Sequence, residues 1–307
     1  MKYTVPAKTF LIGEYSALVG GSVLGLATGP GFEIHYKSQV EEKVQPAFHK
    51  NSPAGILWAQ QVLKNPNLKT TQIEITEMFN NLGGFGRSTA EYLSALIPTL
   101  KNSAEDFVQI RKKYRELSLQ SGAQASGADL AIQYFGNVTV VDAKKSAYSS
   151  TDWKLKDHDF ILVSTGHKVK THEHLAELDL NSIQAFPKFS DAVIETYLSG
   201  SAEDFIVGLS EWAKLLESNN LTHPYSLELK TALQQNSDVL CAKPCGAFGA
   251  DVILLICKKE VSRRLQQELV HMNLVVQGTS ADLMPGVFNQ LTFKNDVARK
   301  IGDTHVG

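Results

Sequence analysis

Strand-like apolar runs alternate with helical patterns along the chain, and this alternation constrains the fold more than any other feature. Strand character appears at Lys2 to Val5, Val23 to Leu26, Glu33 to Lys37, Gln72 to Thr76, Asn137 to Val141, Phe160 to Ser164, Val252 to Cys257 and Leu274 to Val276. Helical spacing occupies Ile56 to Leu63, Ser88 to Leu96, Ala104 to Leu117, Gly127 to Tyr134, Ala202 to Leu216, Ser226 to Gln235 and Val261 to His271. In the Ala202 segment, Phe205, Leu209, Trp212, Ala213 and Leu216 fall three and four apart, as one buried face requires. Such a mixture reads as α+β or α/β.

At 307 residues the chain has ample material for a core, and two lobes are expected. The segment Asp142 to Asp159, rich in Lys, Ser and Asp between two apolar runs, is the candidate junction. This divides the chain into lobes of residues 1–155 and 156–307.

Thirty basic side chains against thirty-two acidic ones leave a formal net charge of −2. No global field favours nucleic acid or an anionic membrane, so any bound anion must be held by a local site. The longest uncharged run, between Glu14 and Glu33, is too broken by glycine and by Pro30 to span a membrane. Lys8 and Glu14 interrupt the region where a signal peptide needs an apolar core. Cys241, Cys245 and Cys257 have no second pair to complete a zinc site, which fits a reducing cytoplasm.

The most informative stretch is Asn81-Leu-Gly-Gly-Phe-Gly-Arg-Ser-Thr-Ala-Glu91, a glycine-rich loop running directly into a helical pattern. Glycines let the backbone approach an oxyanion, and the free N–H groups and dipole of the new helix favour its charge. A plainer reading is a helix start with Ser88 as N-cap and Glu91 completing a capping box. A P-loop is excluded because Gly-x-x-x-x-Gly-Lys-Ser/Thr is absent, and Gly84-x-Gly86 lacks the third glycine of a dinucleotide site.

Two further stretches change the weighing. Ala7 to Gly21 places Lys8 and Glu14 around the apolar tetrad Thr9-Phe-Leu-Ile12, and Lys243 to Asp251 forms a second glycine-rich turn before an apolar strand. Together, in letters, order and spacing, the three stretches resemble the motifs of the GHMP kinases, named for galactokinase, homoserine kinase, mevalonate kinase and phosphomevalonate kinase. The resemblance spans residues 7 to 251. It implies an α+β, two-lobed fold, with a ribosomal protein S5 domain 2-like N-terminal lobe and a ferredoxin-like C-terminal lobe.

The resemblance also implies an ATP-dependent, Mg²⁺-dependent kinase acting on a small anionic metabolite, as a monomer or homodimer. Gly13-Glu14-Tyr15-Ser16 looks like the Gly-Glu-Tyr-Ala of bacterial phosphomevalonate kinases, where mevalonate kinases more often carry histidine after the glutamate. Ser126-Gly127-Ala128-Asp129 looks like the family's Ser-Gly-x-Asp, making Asp129 the catalytic carboxylate and Lys8 its partner. Phosphoryl transfer needs an acceptor oxygen held in line with the γ-phosphate, and a carboxylate orients it and takes its proton. An acidic first-turn residue favourable to the helix dipole is the plainer alternative for Asp129.

By the same carry-over, Gly83, Gly84, Phe85, Gly86, Arg87, Ser88 and Thr89 would bind ATP phosphates, with Ser88 also on Mg²⁺. Glu14, Ser126, Gly246, Ala247 and the loop residues Lys168, Lys170 and Thr171 would bind substrate. His167, His172 and His174 suggest a metal cluster as an alternative, but their spacing matches no usual zinc signature.

Four positions depart from the family pattern. Arg87 stands for the first of paired serines, and Phe248 and Ala250 replace two glycines. Ser118 stands where mevalonate kinases carry a Mg²⁺-binding glutamate, with Glu116 two residues off register. Metal would then rest on Ser88, phosphates and water, or on Glu91. A GHMP-fold binding protein without catalysis is the reading from another class.

Overall fold

Strand direction decides between the two fold classes left open by the sequence. A computed structural model describes residues 1–38, 48–79, 85–100, 107–122, 124–145, 147–167 and 178–290, and every strand pairing among them is antiparallel. Antiparallel sheets with helices on their faces make the fold α+β.

The first sheet is built on a long strand, β2 (Val23–Ser38), which pairs along one edge with β1 (Lys2–Ile12). Its other edge is shared: Val23 to Leu26 pair with β4 (Val138–Asp142), and Phe32 to Ser38 pair with β3 (Thr71–Glu77). Strand β5 (Ala147–Thr151) completes the sheet beyond β4. Two runs expected as separate strands, Val23 to Leu26 and Glu33 to Lys37, are thus parts of one strand. Glycine and proline break a local pattern, yet β2 carries them between two partners rather than through one ladder.

The second sheet has the order β7 (Val239–Cys245), β8 (Val252–Lys258), β6 (His158–Ser164), β9 (Val276–Thr279). Strand β6 is buried throughout, and its side chains alternate between two cores. Phe160 and Leu162 join the large core that also holds the first sheet, while Ile161 and Val163 join a smaller one with Leu265 and Leu269. Period-two alternation in a doubly covered strand produces this division.

The helices are α1 (Pro53–Lys64), α2 (Arg87–Leu96), α3 (Phe107–Gln120), α4 (Ala128–Phe135), α5 (Phe186–Ser199), α6 (Ala202–Ser218), α7 (Pro224–Leu233) and α8 (Lys259–His271). Helix α6 buries Phe205, Leu209, Trp212, Ala213 and Leu216, the face expected from spacing. Ser201 caps it, accepting from Asp204 N at 3.2 Å. Helix α5 and strands β5 and β7 were not expected. Strand β5 pairs with β4 inside the segment expected as the junction.

No helix among the described residues is long and apolar enough to cross a membrane. All three cysteines are free and buried. Burial pushes the Cys245 thiol from 9.0 up to about 11, with the Lys243 ammonium opposing the rise. The folded chain therefore holds this proton more tightly than the unfolded chain. The resulting stability is complete below pH 9.0 and is lost as pH rises toward about 11. Thiol titration at pH 8 should find no fast-reacting cysteine in the native protein and all three after unfolding; a rapidly modified native thiol would contradict this packing.

Candidate active site

Strand β1, the start of α2 and the start of α4 converge on one point. Lys8, buried on β1, places its Nζ 3.2 Å from Asp129 Oδ2, whose side chain is 35% exposed in the first turn of α4. The Lys8 ammonium also lies 4.7 Å from the centre of the Phe10 ring, a cation–π contact. Lys8 N donates to Phe85 O at 3.0 Å, tying β1 to the end of the glycine-rich loop.

Gly86 is the N-cap of α2, with φ +90° and no side-chain cap. The expected capping box is therefore absent: α2 begins at Arg87, and Glu91 accepts from Arg87 Nε at 2.9 Å instead of reaching back to Ser88. A left-handed cap at Gly86 stands two residues before the Ser88 cap that the sequence pattern suggests, because glycine adopts this conformation without Cβ strain. Space is also short, since a Cβ at Gly86 would stand 2.8 Å from both Lys8 Cγ and Gln133 Nε2.

Gly86→Ala should cost about 1–2 kcal/mol in backbone strain. By displacing Lys8, it should also lower turnover on the order of 10²-fold. Unchanged kinetics in that variant would separate the loop from the reacting centre.

Gln133 organises the same corner. Fully buried one turn after Asp129, it donates to Pro6 O at 2.8 Å and Gly86 O at 3.2 Å and accepts from the Thr89 hydroxyl. The sequence held a signal for it, since positions i and i+4 share a helix face. The Thr89 hydroxyl also lies 2.9 Å from Gly86 O, so its one proton is shared between the two acceptors. The Phe85 ring packs in the core against Phe79, leaving its backbone toward the site. Arg87 lies at the surface, bonded to Glu77 and Glu91.

Tyr114 of α3 was also missed. Burial pushes its phenol up to about 12, with the Asp129 charge adding to the rise and the Ser88 and Ser118 hydroxyls opposing it. Ser88 and Ser118 therefore lie near the Tyr114 hydroxyl. Ser88 is exposed, whereas Ser118 is buried at the position of the absent family glutamate. An exposed hydroxyl and a partly exposed carboxylate are hard oxygen donors that suit Mg²⁺ together with phosphate oxygens and water. Glu91 is engaged by Arg87. Among the described residues no group of three or more His, Cys, Asp or Glu side chains is placed to hold a metal.

Other sequence candidates have partners of their own. Glu14 faces inward, bonded to the Lys243 ammonium and accepting from Trp212 Nε1 at 3.0 Å. Ser126 holds the turn before α4, its hydroxyl accepting from Ala128 N at 3.2 Å. Gly246 lines a narrow crevice with Lys8, Phe85 and Asp251, so the last motif does approach the Lys8 side. Ala247 begins the turn Ala247–Gly249 beside it. Phe248, which replaces a family glycine, adopts a left-handed conformation there, and its N–H donates to the Tyr15 hydroxyl at 3.1 Å. Gly83, Gly84, Lys168, Lys170, Thr171, His172 and His174 lie outside the described residues. His167 packs against Tyr225, 4.0 Å between ring centres.

No protein-family profile and no curated protein sequence matches the chain. Solved structures do match. Streptococcus pneumoniae phosphomevalonate kinase in complex with phosphomevalonate and AMPPNP superposes with a TM-score of 0.71 at 16% identity, over 91% of this chain and 99% of that one. Methanococcus jannaschii mevalonate kinase gives 0.68 at 18% identity, over 91% and 97%. Lactococcus lactis galactokinase complexed with galactose gives 0.68 at 14%, over 92% and 94%. The chain therefore has the GHMP-kinase fold, the α+β architecture that phosphomevalonate kinase, mevalonate kinase and galactokinase share.

Proposed function

We propose that the protein is a small-molecule kinase that transfers the γ-phosphate of ATP to phosphomevalonate, giving diphosphomevalonate. The observation that carries this reading is the Lys8–Asp129 pair at 3.2 Å, held beside the Gly86 cap at the start of α2. Phosphoryl transfer relies on positioning and charge stabilisation more than on covalent chemistry.

Asp129 orients the acceptor. A phosphate acceptor is already ionised, so the carboxylate serves mainly to place it in line, whereas an alcohol acceptor would also give up its proton there. The Lys8 ammonium offsets charge on the transferring group. The amides opening α2 receive phosphate oxygens at the positive end of the helix dipole. Ser88 and Asp129 would hold Mg²⁺, which when bound neutralises charge on the ATP phosphates.

The phosphomevalonate branch rests on the likeness of Gly13-Glu14-Tyr15-Ser16 to the motif of phosphomevalonate kinases. The Tyr15 hydroxyl receives the Phe248 N–H at 3.1 Å, joining the first motif to the last. The buried free thiols accord with work in a reducing cytoplasm.

The test is an acceptor panel. Phosphomevalonate, mevalonate, galactose and homoserine are each incubated with Mg·ATP, and ADP and product are read by mass spectrometry. Turnover of phosphomevalonate alone is expected. Turnover of mevalonate alone would reassign the substrate, and turnover of none would favour a binding protein.

A further inference from the structure

Helix α3 carries both Tyr114 and Ser118, near Asp129, and Arg111, Lys112, Arg115 and Leu119, which line a cavity of about 670 Å³. This cavity is large enough for a small metabolite. Three cations enter its wall against one carboxylate, Glu116, in a chain whose overall charge is −2. Among the described residues, neither Lys112 nor Arg115 has an ion-pair partner. Val108 and Leu119, 51% and 72% exposed, add apolar wall to the same cavity. Clustered cations beside exposed apolar side chains suit a ligand with an anionic head and a hydrocarbon body.

Arg111 connects this cavity to the catalytic turn. Its Nε donates to Ser126 O at 2.9 Å and its Nη1 to the Tyr148 hydroxyl at 2.9 Å. A Cβ on Gly127 would meet Arg111 Cγ at 2.7 Å, so the guanidinium stem lies directly against the residue that caps α4. Tyr148 in turn stacks on Phe135 at the far end of α4, with ring centres 5.5 Å apart. One side chain thus braces both ends of the short helix that carries Asp129.

We infer that this cavity binds a small amphipathic anion, a phosphate or carboxylate with a short hydrocarbon tail, and that Arg111 makes the Asp129 turn sensitive to its occupancy. An anion that recruits the Arg111 guanidinium competes with Ser126 O for it. Loss of that brace loosens the turn and slows transfer. Binding itself does not depend on the kinase reading; the effect on turnover rests on it.

Hexyl phosphate and inorganic phosphate serve as probes, titrated calorimetrically into the full chain with AMPPNP present. Hexyl phosphate should bind, and Lys112→Ala/Arg115→Ala should weaken it about tenfold or more, as loss of charge-assisted bonds predicts. Leu119→Gln should weaken hexyl phosphate and leave inorganic phosphate unchanged. Turnover of the wild type should fall as hexyl phosphate saturates, without a change in the KM for ATP, and the double variant should resist the same concentration. Equal affinity in wild type and double variant, or no binding at millimolar concentration, would overturn the site. Binding without any change in turnover would overturn the role of Arg111. A protein that turns over no acceptor would sink the kinase reading, while the calorimetry would still decide the site.

Discussion

Asp129→Asn should lower kcat on the order of 10²-fold or more while leaving the affinity for AMPPNP nearly unchanged. The substitution keeps the shape of the side chain but removes its charge, so α4 and the Gly127 cap should persist. What disappears is the anion 3.2 Å from the Lys8 ammonium, and with it the group that places the acceptor. Lys8 then has an uncompensated charge beside the transferring phosphate, so nucleotide binding is retained while alignment is lost. Lys8→Met should produce a loss of similar order from the other member of the pair, with the double variant little worse than either single one, as expected of residues acting as a unit. Wild-type kcat in Asp129→Asn would remove Asp129 from the reacting centre.

Lys243→Met should destabilise the protein by about 3–5 kcal/mol, the usual cost of leaving one member of a buried ion pair alone. Lys243 is 0% exposed and its ammonium bonds Glu14, with Phe10 O at 3.4 Å as a further acceptor. Burial alone would lower its pKa, but the Cys245 sulfur and the Glu14 carboxylate more than offset this and hold it above the ordinary value. Glu14 without Lys243 would keep only the Trp212 N–H and a low-dielectric setting. Adding Glu14→Gln to Lys243→Met should therefore recover most of the lost stability, since no charge remains buried. The urea midpoints of wild type, single and double variants measure this directly. A double variant no more stable than Lys243→Met would contradict a charge-based cost.

This pair also shows where sequence reasoning reached its limit. Glu14 was expected to bind substrate because its motif resembles one that does; its partner Lys243 lies 229 positions away. No local pattern announces such a contact. Lys8 and Asp129 are also far apart in sequence, yet the resemblance brought them together because both sit in recognisable motifs, and the structure places them 3.2 Å apart.

Helices with a clean apolar face, such as α6, were legible from spacing alone. Helix α5 was not, for it opens on Phe186-Pro187, and proline at a first turn reads locally as a break as readily as a start. The choice between α+β and α/β required strand directions, which are set by pairing partners rather than by local composition. Gln133, Tyr114 and Arg111 escaped notice because each acts on a neighbour's position rather than through a motif of its own.

The most direct measurement of the central claim is phosphorus NMR of Mg·ATP and phosphomevalonate mixed with wild type and with Asp129→Asn in parallel. The account predicts that wild type converts the monophosphate resonance to the paired resonances of a diphosphate with matching ADP formation, and that Asp129→Asn does so at a rate lower by on the order of 10²-fold. Equal rates in the two proteins would contradict the assigned centre. ADP without a new diphosphate would contradict the assigned acceptor.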